Sequence, residues 1–540
     1  MRGLIRLAAG LLAFFGAVGA TACDVGAGSR APLPGNVLTF AYDQQPECLD
    51  PQVSAQDVTA LVTRNMIDSL VSMDREGRFH PWLATGWEIS DDGRVYTFRL
   101  RDDVAFHDGT RFTPAAVAAT LDHAVDPATK SQYAAALARG YKGSTVVDRT
   151  TVRIRLAEPN AAFLQALSTP YLGIQSPKAL RDTSGGLCSR PVGSGPLRFV
   201  EWARNHRLVM DRNPDYRWGP GSSRYRGPVR YDGLVIEFID EDAARFGALT
   251  SGQVDVIGSV PPSRAATLEA TDNMRLWNVQ APGAAYSVVF NTENGPLRDV
   301  RLRKALMLSV DLDRLVDVIF FKRYARAWSM LTPATPHYSP AVEGSWPVDR
   351  VRAARLLDEA GWSGRDGEGY RTKNGKRLTL SWPYASGLQS KADILGQGIQ
   401  AEAKKSGIQL RWYPLDVGTF IERTSAGRGL DMYGTSFVRP EPDILRFFLG
   451  SQETLANGGG NVFRLNEPGL DRLLDGAAAE QTPQRRADAY ARAQRRVIDE
   501  ALVMPVYVPT SLVGASDRVR GLAFDAAGYP LFNGAEREAP

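Results

Sequence analysis

Apolar and polar positions follow two different periods along this chain, and the change of period divides it. In WEISDDGRVYTFRL, from Trp87 to Leu100, alternate residues Tyr96, Phe98 and Leu100 share one face. Asp91-Asp92-Gly93 interrupts the alternation, so the stretch predicts a β-hairpin. Thr113-Pro114 then reads as an N-cap with proline in the first turn, opening the helix AAVAATLDHAV. A second hairpin pairs GSTVVD with TVRIRLAE near residue 150. From about residue 230 the texture becomes α/β. LVIEFI is a continuous apolar strand, Asp240 is placed to cap the helix EDAARFGALTSG, and VDVI is the next strand. A second strand–helix–strand unit runs through LTLSWPY, ADILGQGIQAEAKKSG (stopped by Gly407) and IQLRWYPL. Between them VRAARLLDEAGW is an amphipathic helix ended by Gly361, and NVLTFAYD is the first strand of the chain. The expectation is a mixed α/β protein with a β-richer insertion near residues 80–190.

At 540 residues the chain exceeds one ordinary core, so two or three domains are expected. The balance of 64 basic and 60 acidic side chains, 64 − 60 = +4, is spread without long basic runs, which argues against a nucleic-acid partner. The N-terminus carries an address. Arg2 and Arg6 precede the apolar LAAGLLAFFGAV and the small residues ATAC, which reads as an export signal over residues 1–22. Cleavage before Cys23 would leave that cysteine to take a diacylglycerol, as in bacterial lipoproteins; plain secretion after Ala20-Thr21-Ala22 is the alternative. Residues 23–35, small and polar, suit a tether. Export leaves Cys48 and Cys188 as an even pair in an oxidising compartment, read as a disulfide in preference to two unrelated buried thiols.

Catalytic signatures are missing. There is no H-E-x-x-H, no G-x-S-x-G, no phosphate loop and no C-x-x-C. The five histidines are scattered, and no metal or cofactor is expected. His107-Asp108-Gly109 would suit a base or a metal ligand, but Asp-Gly at a corner before a capped helix reads first as a turn, whose side chains bond nearby backbone.

Four blocks then carry a resemblance. They are WEISDDGRVYTFRLRDDVAFHDGTRFTPAAV, PECLDPQ, RPVGSGPLRFVEW and FNTENGPLRDVRLRKALMLSVDLDRLV. In their order along the chain, PECLDPQ first, they resemble the family 5 extracellular solute-binding proteins, the oligopeptide- and dipeptide-binding components of ABC importers. Pro114-Ala115-Ala116 stands where that family usually has Ala-x-Asp, Ser194 replaces its threonine, and Leu197 its aromatic residue. The resemblance implies a two-lobe periplasmic-binding-protein fold of the type II, peptide-binding class, acting as a monomer with ABC permease subunits. Lobe I is expected over residues 36–80, 190–282 and 505–540, its inserted subdomain over 81–189, and lobe II over 283–504. Asn291 and Asp299 read as turn and cap residues.

Positions near strand ends and crossovers, where open α/β sheets place ligands, make Tyr42, Trp382, Tyr384, Tyr433 and Phe437 candidate contacts, with a core position the alternative for each, and the resemblance adds Arg439. Peptide binders of the family hold the ligand's free amine with an aspartate after a tryptophan-containing segment. Here Phe437 stands for the tryptophan, and Arg439 or Pro440 falls where the aspartate would be, so capture of a free amine there is not expected. Arg439 is expected either to meet a ligand carboxylate or phosphate or to be a solvated loop arginine. The implied solute is a peptide or peptide-like molecule. A sugar oligomer, opine, haem or nickel complex, a sensing role, and a secreted hydrolase that has kept the fold are the alternatives.

Overall fold

The computed structural model describes residues 35–182, 186–385, 392–426 and 429–538. The signal segment, Cys23 and nearly all of the tether lie outside the described residues. Strand Val37–Tyr42 sits inside a seven-stranded sheet. It is flanked on both sides by parallel partners, Gly233–Phe238 and Val256–Ile257. The first strand–helix–strand unit is therefore opened up: its two strands do not pair with each other, because the N-terminal strand inserts between them. Leu38, Phe40, Leu234, Ile236 and Val256 are fully buried on one face and Ala41 and Ile257 on the other, as a central strand group covered on both sides requires. The intervening helix is Asp242–Thr250. Its cap is Glu241 rather than Asp240, with the longer side chain accepting from the Ala243 and Ala244 amides.

The insertion forms the two expected hairpins, which join as one antiparallel sheet: Ala84–Ile89, Val95–Leu100, Thr151–Leu156, Tyr141–Val146. Its buried face, with Tyr96, Phe98, Val152 and Ile154, packs with Ala116, Val117 and Leu121 of helix Pro114–Val125. Thr113 holds the cap position in extended backbone, but its side chain makes no capping bond. A third body contains the antiparallel strands Met432–Val438, Gly283–Phe290 and Val503–Tyr507, and the parallel pair Thr379–Ala385 and Gln409–Leu415. Asp299 caps helix Val300–Ser309 and Asn291 accepts from the Glu293 and Asn294 amides. The chain passes between the large sheet and this body at residues 281–282 and 508–509. The two passages are bonded to each other, Ala281 donating to the Pro509 carbonyl at 2.9 Å.

Cys48 and Cys188 are joined as a disulfide, and the Leu49 amide donates to the Cys188 carbonyl at 2.9 Å beside it.

The His107 corner is structural. Gly109 has φ +81°, Asp108 accepts from the Thr110 amide and the Ser176 hydroxyl, and His107 Nε2 donates to the Gly195 carbonyl at 3.0 Å. The turn thus clamps the PVGSGP loop. His107 Nδ1 is buried with no partner, so a second ring proton would have no acceptor. Burial first, and Arg198 next, push its pKa down to about 4. A depressed histidine contributes stability that is complete above its unfolded value near 6.5 and is lost as pH falls from there toward 4. The expected loss is on the order of 2–3 kcal/mol. Urea unfolding from pH 7 to 4 should show this slope, and His107→Gln, which keeps a donor but cannot titrate, should flatten it. An unchanged slope would refute the assignment.

Candidate ligand-binding cleft

The carboxyl ends of the parallel strands Val37–Tyr42 and Val256–Ile257 open into a cavity of about 480 Å³. Open α/β sheets place ligands at such strand ends. Asp43 and Gln44 follow the first strand; Gly258 and Ser259 follow the second. A β-carbon at Gly258 would lie 2.5 Å from the Tyr42 ring, so glycine there lets that ring reach the cavity wall. The opposite wall comes from the third body through Tyr286, Ser436, Val438 and Tyr507, with Tyr324 and Tyr529 completing it. Tyr286 and Tyr507 stack with centroids 4.9 Å apart. Burial raises the pKa values of Tyr42, Tyr286 and Tyr507, so these rings present neutral hydroxyls.

Among the described residues, two charged side chains line this cavity, Asp43 and Asp57. They differ in what they already hold. Asp57, the first residue of helix Asp57–Thr63, accepts from Arg439 Nη1 at 2.6 Å. Asp43 accepts from the Ser259 hydroxyl at 3.0 Å and, among the described residues, makes no ion pair.

Arg439 follows strand Met432–Val438 and is 3% exposed. Its guanidinium donates to Asp57, the Val438 carbonyl and the Ala55 carbonyl. It lies over the rings of Tyr133, Tyr171 and Phe437, 4.1–4.5 Å from their centroids. The solvated-loop reading is thereby corrected: an arginine enclosed by three aromatic rings and a carboxylate is a buried link between separate bodies. It does line a second cavity, of about 560 Å³, but its charge is met from within the protein. Arg139 and Glu453 form another ion pair across the same interface.

The sequence-expected contacts separate accordingly. Tyr42 lines the first cavity, whereas Phe437 lines neither and packs instead as one wall around Arg439. Trp382 is 0% exposed, packed edge-on to Trp412. Tyr384, two residues on and on the same face of its strand, stacks on Trp412 at 4.3 Å and lines neither cavity. Gly396 makes this aromatic layer possible, since a β-carbon there would meet the Trp412 ring at 2.4 Å. Tyr433 is core as well, bonded to the Gly460 carbonyl and packed on Phe463. Strand alternation places these rings on the helix-covered side rather than at the strand end. The sequence reading passed over Asp43, Asp57, Tyr286, Tyr324, Tyr507 and Tyr529. Asp43 was within reach, directly after the FAY strand; Tyr529 has no local signal.

Two sheet-bearing bodies joined by paired passages, with a cavity at their junction, define a two-lobe solute-binding protein. The chain belongs to the bacterial extracellular solute-binding proteins, family 5, whose model matches residues 78–453. This is a family of substrate-binding components of ABC importers, transport proteins rather than enzymes. The chain is 28% identical over 481 residues to heme-binding protein A of Haemophilus influenzae, covering 84% of this chain and 83% of that one. It is 28% identical over 484 residues to the glutathione-binding protein GsiB of Shigella dysenteriae, covering 88% and 89%. The fold matches NikA from Brucella suis, solved in complex with Fe(III)-EDTA, with TM-score 0.81 at 24% identity over 93% of this chain and 100% of that one.

Proposed function

We propose that this protein captures a peptide or peptide-like solute bearing a positively charged group and delivers it to a membrane permease, itself anchored by a lipid on Cys23. The observation that carries the ligand reading is Asp43. Among the described residues it is a carboxylate without an ion-pair partner, on the wall of a cavity whose other charged lining residue, Asp57, is already paired with Arg439. Tyrosine hydroxyl oxygens provide neutral acceptors and the rings provide π faces, both suited to an ammonium. An uncompensated carboxylate in such a place is stabilised by a cationic ligand and repels an anionic one. The free-amine site, which the Arg439 substitution removes from its usual place, is thus re-created on the other side of the cleft. Glutathione, for which a relative is named, is itself a tripeptide with a free amine.

The lobe boundaries are proposed as above, except that the last crossing falls at 508–509 rather than 505, because strand Val503–Tyr507 pairs within the third body. They are supported by the seven-stranded sheet, which draws on residues 37–42, 197–280 and 510–516, while the third body draws on 283–290 and 379–507. Closure then follows from a ligand that touches both walls only when the cleft is shut.

The test is a thermal-shift screen of peptides, oligosaccharides and metal chelates, since a ligand of the folded state raises its apparent stability. Asp43→Asn is expected to weaken free-amine peptides by about 10–100-fold, in line with the loss of a partly buried ion pair. Shifts by metal chelates alone, or equal affinity in Asp43→Asn, would sink the reading.

A further inference from the structure

The second cavity lies beyond the Arg439–Asp57 ion pair and shares Val438, Ala527 and Tyr529 with the first. Asp57 lines one cavity and Arg439 the other, so their ion pair stands at the junction. Arg64, at the end of helix Asp57–Thr63, lies on the wall of the second cavity. Resting on the reading of this groove as the solute cleft, we propose that Arg64 is an oxyanion subsite, which takes a carboxylate or phosphate at the far end of a ligand whose cationic end meets Asp43.

The hydrogen bonds of Arg64 go to neutral oxygens. Nη1 donates to the Ser69 hydroxyl at 2.9 Å, Nη2 to the Ser168 carbonyl at 2.7 Å, and the guanidinium lies 4.9 Å from the Trp82 ring centroid. Among the described residues it makes no ion pair. A guanidinium has five N–H donors, so two bonds leave it capacity for a forked oxyanion. Of the carboxylates on the same cavity wall, Asp74 accepts from Arg78 and His80, Glu76 accepts from Arg78, and Asp525 accepts from the Ala527 and Tyr529 amides of its own turn. Asp525 and the buried Asp68 act on Arg64 through space but, among the described residues, neither forms an ion pair with it. Arg75 and Arg224 stand exposed on the cavity wall and add positive charge. Burial lowers the pKa of Arg64 even though Asp525 and Asp68 pull it the other way, the mark of a cation that those carboxylates compensate only in part. Trp82, Tyr171 and Leu522 offer apolar surface for the rest of the ligand.

Random tripeptide pools, one free, one N-acetylated and one C-amidated, and separately inorganic phosphate, would be titrated by calorimetry into the wild type, Asp43→Asn, Arg64→Gln and Arg64→Lys. Circular dichroism confirms folding, and Arg64→Lys retains the charge if Arg64→Gln does not fold. C-amidation is expected to weaken binding to the wild type by about tenfold or more and to Arg64→Gln by less than about twofold. Arg64→Lys should keep part of the discrimination. Equal wild-type affinity for free and amidated pools, or an amide penalty that survives in Arg64→Gln, overturns the subsite. An N-acetyl penalty lost in Asp43→Asn would leave the amine reading standing even then. If peptides fail but phosphate binds the wild type and not Arg64→Gln, the subsite stands with a phosphate-bearing solute and the peptide reading falls. If peptides and phosphate bind the wild type no better than Arg64→Gln, the subsite falls.

Discussion

Replacing Arg439 by alanine is expected to destabilise the ligand-free protein by about 2–4 kcal/mol and to loosen the association of its two lobes. The side chain bonds at once to Asp57, the Ala55 carbonyl and the Val438 carbonyl, and three rings surround its charge. Removing it leaves a cavity between Tyr133, Tyr171 and Phe437 and strips Asp57 of its cation. The side chain of Asp57 is 38% exposed and will rehydrate, which holds the loss below that of a fully buried pair. The two partners are 382 residues apart and belong to different bodies, so their bond can form only while those bodies are together. Arg439→Ala should therefore lower the urea midpoint and enlarge the radius of gyration measured by X-ray scattering without ligand. Arg439→Lys should recover only part, because a point charge cannot fork among three acceptors. An unchanged midpoint together with unchanged scattering would show that the pair holds nothing.

Gly193→Ala is expected to cost on the order of 3–4 kcal/mol, through a backbone clash rather than a lost contact. A β-carbon at Gly193 would lie 2.2 Å from the Met66 carbonyl oxygen and 2.8 Å from Ile67 Cα, both main-chain atoms that cannot swing away. The loop cannot retreat either. The Gly193 carbonyl accepts from the His107 amide at 2.8 Å, and the Gly195 amide donates to that same Met66 oxygen at 2.9 Å. Relief of the clash must break this clamp, and with it the joint between the inserted sheet and the helix ahead of it. Gly247→Ala, in helix Asp242–Thr250 where a β-carbon meets nothing, is the control and should be neutral or stabilising by up to about 1 kcal/mol. Equal midpoints for the two variants in urea would refute the argument.

These two positions also mark how far the chain could be read in one dimension. PVGSGP was visible as a family block, but the reason for its glycines is a main-chain approach from residues 66 and 67, more than a hundred positions away. Arg439 was singled out by its departure from a pattern, and its surroundings were then misjudged. Its partners Asp57, Tyr133 and Tyr171 come from a different part of the chain, and nothing within a few residues of any of them announces the cage. Trp382 and Tyr433 failed as cleft residues for a related reason: alternation says that two faces exist, not which one meets solvent at a strand end.

The sequence by itself determined what local forces govern. Alternation set the strands, glycine and proline set their ends, the Asp-Gly corner set the turn at His107, and the order of four blocks set the family. Tertiary structure alone decided which charges remain unpaired. Asp43 and Asp57 are both aspartates near the start of the same domain. Asp57 is neutralised from across the junction and Asp43 is left facing the cavity, because the folding of distant segments brings Arg439 to Asp57 and, among the described residues, no ion-pair partner to Asp43. A binding site between two lobes is made of such remainders, and they exist only after the long-range pairing is complete.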